Sequence, residues 1–225
     1  MIENSLIANI IQIMFVLVLG TAAFIITQRS LVSLITIYAL QSLVLAVTAL
    51  VLYLEHGTPS LLLVCLLTLS VKAGIIPYFL RRVLASLTIK RDLEFSYLTP
   101  AGSIIVSALL LFAVYLSFSN LTGGLFPDRL FFLGGVIGVS LALMGMMVIF
   151  SRKKVISKIT GYLTMENGIV LFSLFIAEMP FIIEVLVLID LLMLVLLAAV
   201  MAFGIDSSIE SFHRRLTRLG MRFED

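Results

Sequence analysis

The chain has 225 residues, 61% of them hydrophobic and only 12% charged, with a net charge of +2. Soluble domains average roughly 45–50% apolar and about 25% charged, so a soluble globule of this size could not hide so much apolar surface. A disordered chain would be polar and a nucleic-acid binder far more basic, which leaves an integral membrane protein.

A bilayer core of about 30 Å takes roughly 20 apolar residues per helix. Seven segments qualify, at 5–27, 31–54, 60–80, 97–118, 131–150, 157–177 and 181–204. The predicted fold is therefore all-α, with seven transmembrane helices. The first span follows Met1, Ile2 and Glu3, with no positive n-region, and is too long for the apolar part of a cleavable signal. It reads as a membrane helix. The second span carries Gln41. The third carries Cys65, read as a packing residue, then Lys72, Gly74 and Pro77. Pro77 cannot donate to the carbonyl of Ala73, so a bend beside Lys72 is predicted. The fourth and fifth spans hold no charge. The sixth brings Tyr162, Glu166 and Asn167 within two turns, and the seventh brings Glu184 and Asp190.

Beyond the seventh span, residues 205–225 read as a basic amphipathic tail. Ser207 and Glu210 fit a capping box. Ile209, Phe212, Leu216 and Leu219 then alternate with Arg214, Arg215 and Arg218. Such a helix suits anionic lipid headgroups. His56 and His213 are far apart and Cys65 is the only cysteine, so no metal or disulfide cluster is expected. No phosphate loop, nucleophile triad or dinucleotide fingerprint occurs, and no catalytic residue is assigned.

Thirteen of the 15 Lys and Arg fall on one side of this arrangement: Arg29; Arg81, Arg82, Lys90 and Arg91; Arg152, Lys153, Lys154 and Lys158; Arg214, Arg215, Arg218 and Arg222. The positive-inside rule makes that side cytoplasmic, with the N-terminus outside and the C-terminus inside.

Apart from Lys158, at the cytoplasmic edge of the sixth span, four charges remain within spans: Lys72, Glu166, Glu184 and Asp190. Each costs at least about 2.5–3.5 kcal/mol at the bilayer centre, and such residues often mark an ion or proton path. Counted from the outer face at ~1.5 Å per residue, Glu166, Asp190, Lys72 and Gln41 lie within roughly 6 Å of one depth. Glu184 is shallower, about one turn from the surface. A shared layer is what lateral proton transfer requires, with Tyr162 as a hydrogen-bond candidate one turn before Glu166. Burial disfavours a carboxylate and a nearby cation favours it, so a carboxyl under both pulls can exchange protons near neutral pH. Two other readings fit the same residues: a stand-alone seven-helix secondary transporter, whose midplane charges bind solute, and a structural scaffold whose polar layer fixes packing.

Ser33, Ile35, Thr36 and Tyr38 recur at an offset of 124 as Ser157, Ile159, Thr160 and Tyr162. The chain then divides into a three-helix unit (1–96), a linker helix with an outer loop (97–130), a second three-helix unit (131–204) and the tail. The strings YALQSLVLA (38–46), KAGIIP (72–77), GYLTMENG (161–168) and MPFIIEVLVLID (179–190) resemble the component E family of hydrogenase-4-type complexes. The second unit in turn is similar to the small three-helix subunit of respiratory complex I, chain 4L or K. This resemblance implies a non-catalytic membrane-arm subunit of an energy-converting nickel–iron hydrogenase or formate hydrogenlyase in the cell inner membrane. The nickel–iron site and iron–sulfur clusters would lie on a cytoplasmic arm. Antiporter-like and quinone-site-like subunits would be its membrane partners, with proton or sodium movement coupled to redox chemistry elsewhere. It also implies that Glu166 and Asp190 correspond to the midplane carboxylates of the complex I subunit. The first unit has Gln41 and Lys72 where an acidic pair would be expected.

Overall fold

The computed structural model describes residues 2–86, 99–122, 129–152 and 155–176, with 189, 192 and 193. The described residues form helices and contain no strand: α1 (Ile2–Thr27), α2 (Leu31–His56), α3 (Pro59–Leu67), a π-helical stretch (Thr68–Ile75), α4 (Ile76–Ser86), α5 (Pro100–Thr122), α6 (Arg129–Ser151) and α7 (Val155–Ile176). Polar punctuation separates α1 from α2 and α2 from α3, as the sequence predicts. Gly57 closes α2 in the left-handed conformation, at φ 68°, and its N–H donates to Tyr53 O at 2.7 Å. A residue with a Cβ is strained there. Thr58 and Pro59 then start α3, the proline sitting where its missing N–H costs nothing.

Among the described residues five helices are long and apolar enough to cross a membrane, with α3, the π stretch and α4 counted as one. They match the first five predicted spans. The sixth corresponds to α7, which is less apolar because Lys158, Glu166 and Asn167 lie along it. The seventh span and the tail, with Glu184, Asp190 and the capping-box residues, lie outside the described residues, apart from 189, 192 and 193.

The bundle has a mainly apolar core, with Ile11, Val18, Ile35, Leu141 and Leu163 fully buried, that encloses a layer of polar side chains, and its outer surface is apolar as well. Tyr38, Gln41, Ser42, Thr48, Glu166 and Asn167 are buried, whereas Val16, Phe24, Leu40, Leu109, Phe112 and Phe150 are exposed. An apolar exterior around enclosed polar groups suits a hydrocarbon surround, where apolar side chains face lipid and polar ones need partners within the protein. α2 is the central element, packing against α1, α3, the π stretch, α4 and α7. α5 is peripheral, held by α1 and α6.

The most extensive pairing joins α6 to α7 along a seam of small residues. A Cβ on Gly168 would collide with the backbone N of Ala142 and stand 2.6 Å from Gly138 O. One on Gly138 would stand 2.6 Å from Phe172 N. Only glycine lets these antiparallel backbones come so close, the small-residue solution to helix packing in membranes.

Two hydrogen-bond sets gather the helix ends. Arg81 Nη2 on α4 donates to Thr36 Oγ1 on α2 at 3.1 Å. Arg152, in the α6–α7 turn, donates from Nη2 to Ile26 O at 2.7 Å and to Gln28 O at 3.0 Å. The close of α1, the start of α2, the far end of α4 and the α6–α7 turn therefore share one end of the bundle. The predicted cytoplasmic basic residues Arg29, Arg81, Arg82, Arg152 and Lys158 all belong to these segments. Arg152 is buried despite lying in a turn, and burial pushes its guanidinium below the ordinary arginine range. It satisfies carbonyls at the end of α1 that the helix cannot satisfy itself.

α2 and α7 run parallel and side by side. Arg152 meets residues 126 and 124 positions earlier, and Asn167 meets Gln41 and Ser42 at separations of 126 and 125. These separations nearly equal the offset of the recurring strings.

Candidate functional site

Glu166 sits midway along α7 and Lys72 within the π-helical stretch, and the two meet across the bundle. Lys72 Nζ lies 2.9 Å from Glu166 Oε1, with the side chains 2% and 1% exposed. It is the sole ion pair among the described residues. Lys72 and Glu166 therefore share one depth in direct contact, with no gap for a bridging water between the two charges, whereas Asp190 of the same predicted layer lies outside the described residues.

The local backbone explains how Lys72 reaches inward. A proline ring in an α-helix clashes with the carbonyl four residues earlier and offers no N–H. Here the turn widens instead of simply bending: Ile76 N–H reaches back five residues to Val71 O. The predicted bend at Pro77 is therefore a π-helical stretch of eight residues, Thr68–Ile75, with Lys72 inside it. Such stretches are rare and are frequently found at functional sites. Thr68, one turn before Lys72, is buried beside it in sequence, while Ser70 and Gly74 face outward.

An amide and hydroxyl network lies in the same layer. Asn167 Nδ2 donates to Gln41 Oε1 at 3.2 Å and to Ser42 Oγ at 3.1 Å. Gln41 Nε2 donates to Thr21 Oγ1 at 3.3 Å, and that hydroxyl donates to Val18 O at 2.8 Å. Three helices, α1, α2 and α7, are thereby tied together next to the ion pair. Two acceptors keep unused capacity: Glu166 Oε2 and Asn167 Oδ1 are buried and accept no hydrogen bond among the described residues.

Of the predicted site residues, the structure brings Lys72 to Glu166 and joins Gln41 to the residue after Glu166. Tyr162 is half-buried, and its hydroxyl does not bond the Glu166 carboxylate. Asp190 and Glu184 lie outside the described residues. Thr21 and Ser42 were not singled out from the sequence, because a hydroxyl in an apolar run usually bonds its own helix. Asn167 was legible only as a neighbour of Glu166, not as the clamp on α2. Among the described residues no three His, Cys, Asp or Glu converge as a metal site would require.

The arrangement defines a multi-pass helical membrane protein with a buried ion pair near the middle of its bundle. Compared with protein-family models, curated proteins and solved structures, the chain finds no match.

Proposed function

We propose that the chain is a membrane-arm subunit of a complex I-like energy-converting hydrogenase or formate hydrogenlyase. It would sit in the cell inner membrane with seven spans, its N-terminus outside and its C-terminus cytoplasmic. Its part is to carry protons, or sodium, laterally at mid-membrane, while the nickel–iron and iron–sulfur chemistry proceeds on partner subunits. The observation that supports this reading is the Lys72–Glu166 contact at 2.9 Å, buried on both sides and bordered by the Gln41–Asn167 network. Passing a proton from Lys72 Nζ to Glu166 Oε1 converts the ion pair into a neutral amine and a neutral acid. Each is then free to exchange with the next group in the layer. Asp190 and Glu184 would continue the path, and the recurring strings would record a duplication that left only the second unit acidic.

A second reading, a scaffold whose polar layer only fixes packing, is favoured by the pair's complete burial. One variant separates the two. In Glu166→Gln the relay reading expects the complex to assemble and turn over its redox reaction while ion uptake into inverted vesicles is lost. Unchanged uptake makes Glu166 structural. The assignment to a complex is tested by purifying a tagged chain in gentle detergent, with nickel–iron and antiporter-like subunits expected to co-purify. A stable, active monomer, as a stand-alone transporter would give, overturns it.

A further inference from the structure

The basic end of the bundle carries a pair of charges that the midplane site does not use. Arg81 and Arg82 are adjacent near the end of α4 and both are exposed. Each guanidinium is held by a neutral hydroxyl. Arg81 Nη2 donates to Thr36 Oγ1 at 3.1 Å, and Thr36 is itself fixed by donating to Val32 O at 2.9 Å. Arg82 Nη1 donates to Tyr78 Oη at 3.4 Å. Among the described residues neither arginine pairs with a carboxylate. A hydroxyl anchor orients a guanidinium without neutralising it, so both forks keep their full charge and several N–H donors.

Depth and surroundings narrow the ligand. Arg81 follows Lys72 by nine residues in the sequence. At ~1.5 Å per residue that is roughly 13 Å, close to the ~15 Å half-thickness of the hydrocarbon core. The two charges therefore stand at headgroup level if Lys72 is near the midplane. From them an exposed apolar surface runs toward the membrane centre, with Leu40 and Leu43 on α2, Ile75 at the end of the π-helical stretch and Tyr78 on α4. The Thr36–Arg81 bond places these two strips side by side.

We propose that the adjoining exposed faces of α2 and α4 bind an anionic phospholipid. Its phosphate is taken by the forks of Arg81 and Arg82, which match phosphate oxygens two at a time, and its acyl chains lie on Leu40, Leu43, Ile75 and Tyr78. This site rests on membrane residence alone and stands whether or not the relay reading does.

The test uses the full chain in neutral detergent, titrated with phosphatidylglycerol, with phosphatidylcholine of the same acyl chains, or with inorganic phosphate, while its melting temperature is followed. Phosphatidylglycerol raises the melting temperature at lower concentration than phosphatidylcholine does, and inorganic phosphate has little effect. The double variant Arg81→Gln/Arg82→Gln weakens the apparent phosphatidylglycerol affinity about tenfold or more, whereas Lys158→Gln, at the same end of the bundle, leaves it unchanged. Thr36→Val removes only the anchor of Arg81 and gives a smaller loss, which keeps the site testable if the double variant does not fold. Equal effects of the two lipids, an unchanged affinity in the arginine variants or an equal loss in Lys158→Gln overturns the site. A phosphate effect matching that of the lipid reduces it to an anion site without a bed for acyl chains.

Discussion

Lys72 and Glu166 illustrate why a buried pair is weak evidence for stability but a sensitive reporter of it. Removing two charges from water costs several kcal/mol each, and their attraction offsets this only when both are present. Lys72→Met strands a carboxylate in the interior and is expected to cost roughly 3–5 kcal/mol, whereas Lys72→Met combined with Glu166→Leu costs much less, because a packed apolar pair is often neutral. Melting curves of both single variants and the double variant in detergent measure the difference. A double variant as damaged as the sum of the singles would show that the two residues do not act as a unit. This contact was partly legible in the sequence. Charges within apolar runs stand out, and helical rise placed Lys72, Glu166 and Gln41 at one depth. Which helix faces which is set by packing, so the pairing of Asn167 with Gln41 was hidden. The cap that Arg152 places on the end of α1 was hidden for a related reason: a basic residue in a turn shows its side of the membrane, but not which neighbouring helix end it meets.

Among the elements, the spans were legible because length and apolarity are local properties, and the observed ends fall within a few residues of those predicted. The exception is the third span, predicted to close at 80 and observed to run on to Ser86. Its basic residues extend past the apolar core, where charge no longer opposes helix. The π-helical stretch shows a different limit. Pro77 and Gly74 announced a disturbance, but whether a helix bends or widens depends on what Lys72 meets across the bundle. The glycines of α6 and α7 are likewise visible one by one, although only the fold shows that they face each other. They support a paired prediction. Gly168→Ala puts a methyl against the backbone of Ala142, where neither side can yield, and should cost 1–3 kcal/mol or more, as overpacking does. Gly20→Ala, in α1 with nothing within 4 Å of the new methyl, should stabilise by about 0.5–1 kcal/mol. Comparative melting of the two variants checks both signs, and a tolerated Gly168→Ala would refute the close seam.

For the molecule as a whole, the described contacts fix which helix ends lie together, and the positive-inside bias supplies the proposed sidedness. Cys65 is the only cysteine and is buried, so Cys65→Ala gives a background without thiols for labelling. On that background, a membrane-impermeant thiol reagent should modify Arg29→Cys from the cytoplasmic side only and His56→Cys from the outside only. Reversed sidedness would invert the topology, and labelling of both from one side would mean that α2 does not cross. The parallel packing of α2 on α7 could not be read from any one segment, although the offset of 124 between recurring strings hinted at it.

The glycine seam has a mechanical consequence for any cycle that parts Lys72 from Glu166. Two helices in backbone contact cannot slide lengthwise, because a slip of one residue would drive a side chain of one into the main chain of the other. α7 is therefore keyed to α6 and carries Glu166 as a fixed post. The lysine arrives on a widened turn whose glycine, Gly74, faces outward, with no comparable glycine seam among the described residues. If the pair separates during turnover, the stroke belongs to the helix bearing Lys72, and the carboxylate stays where the seam holds it.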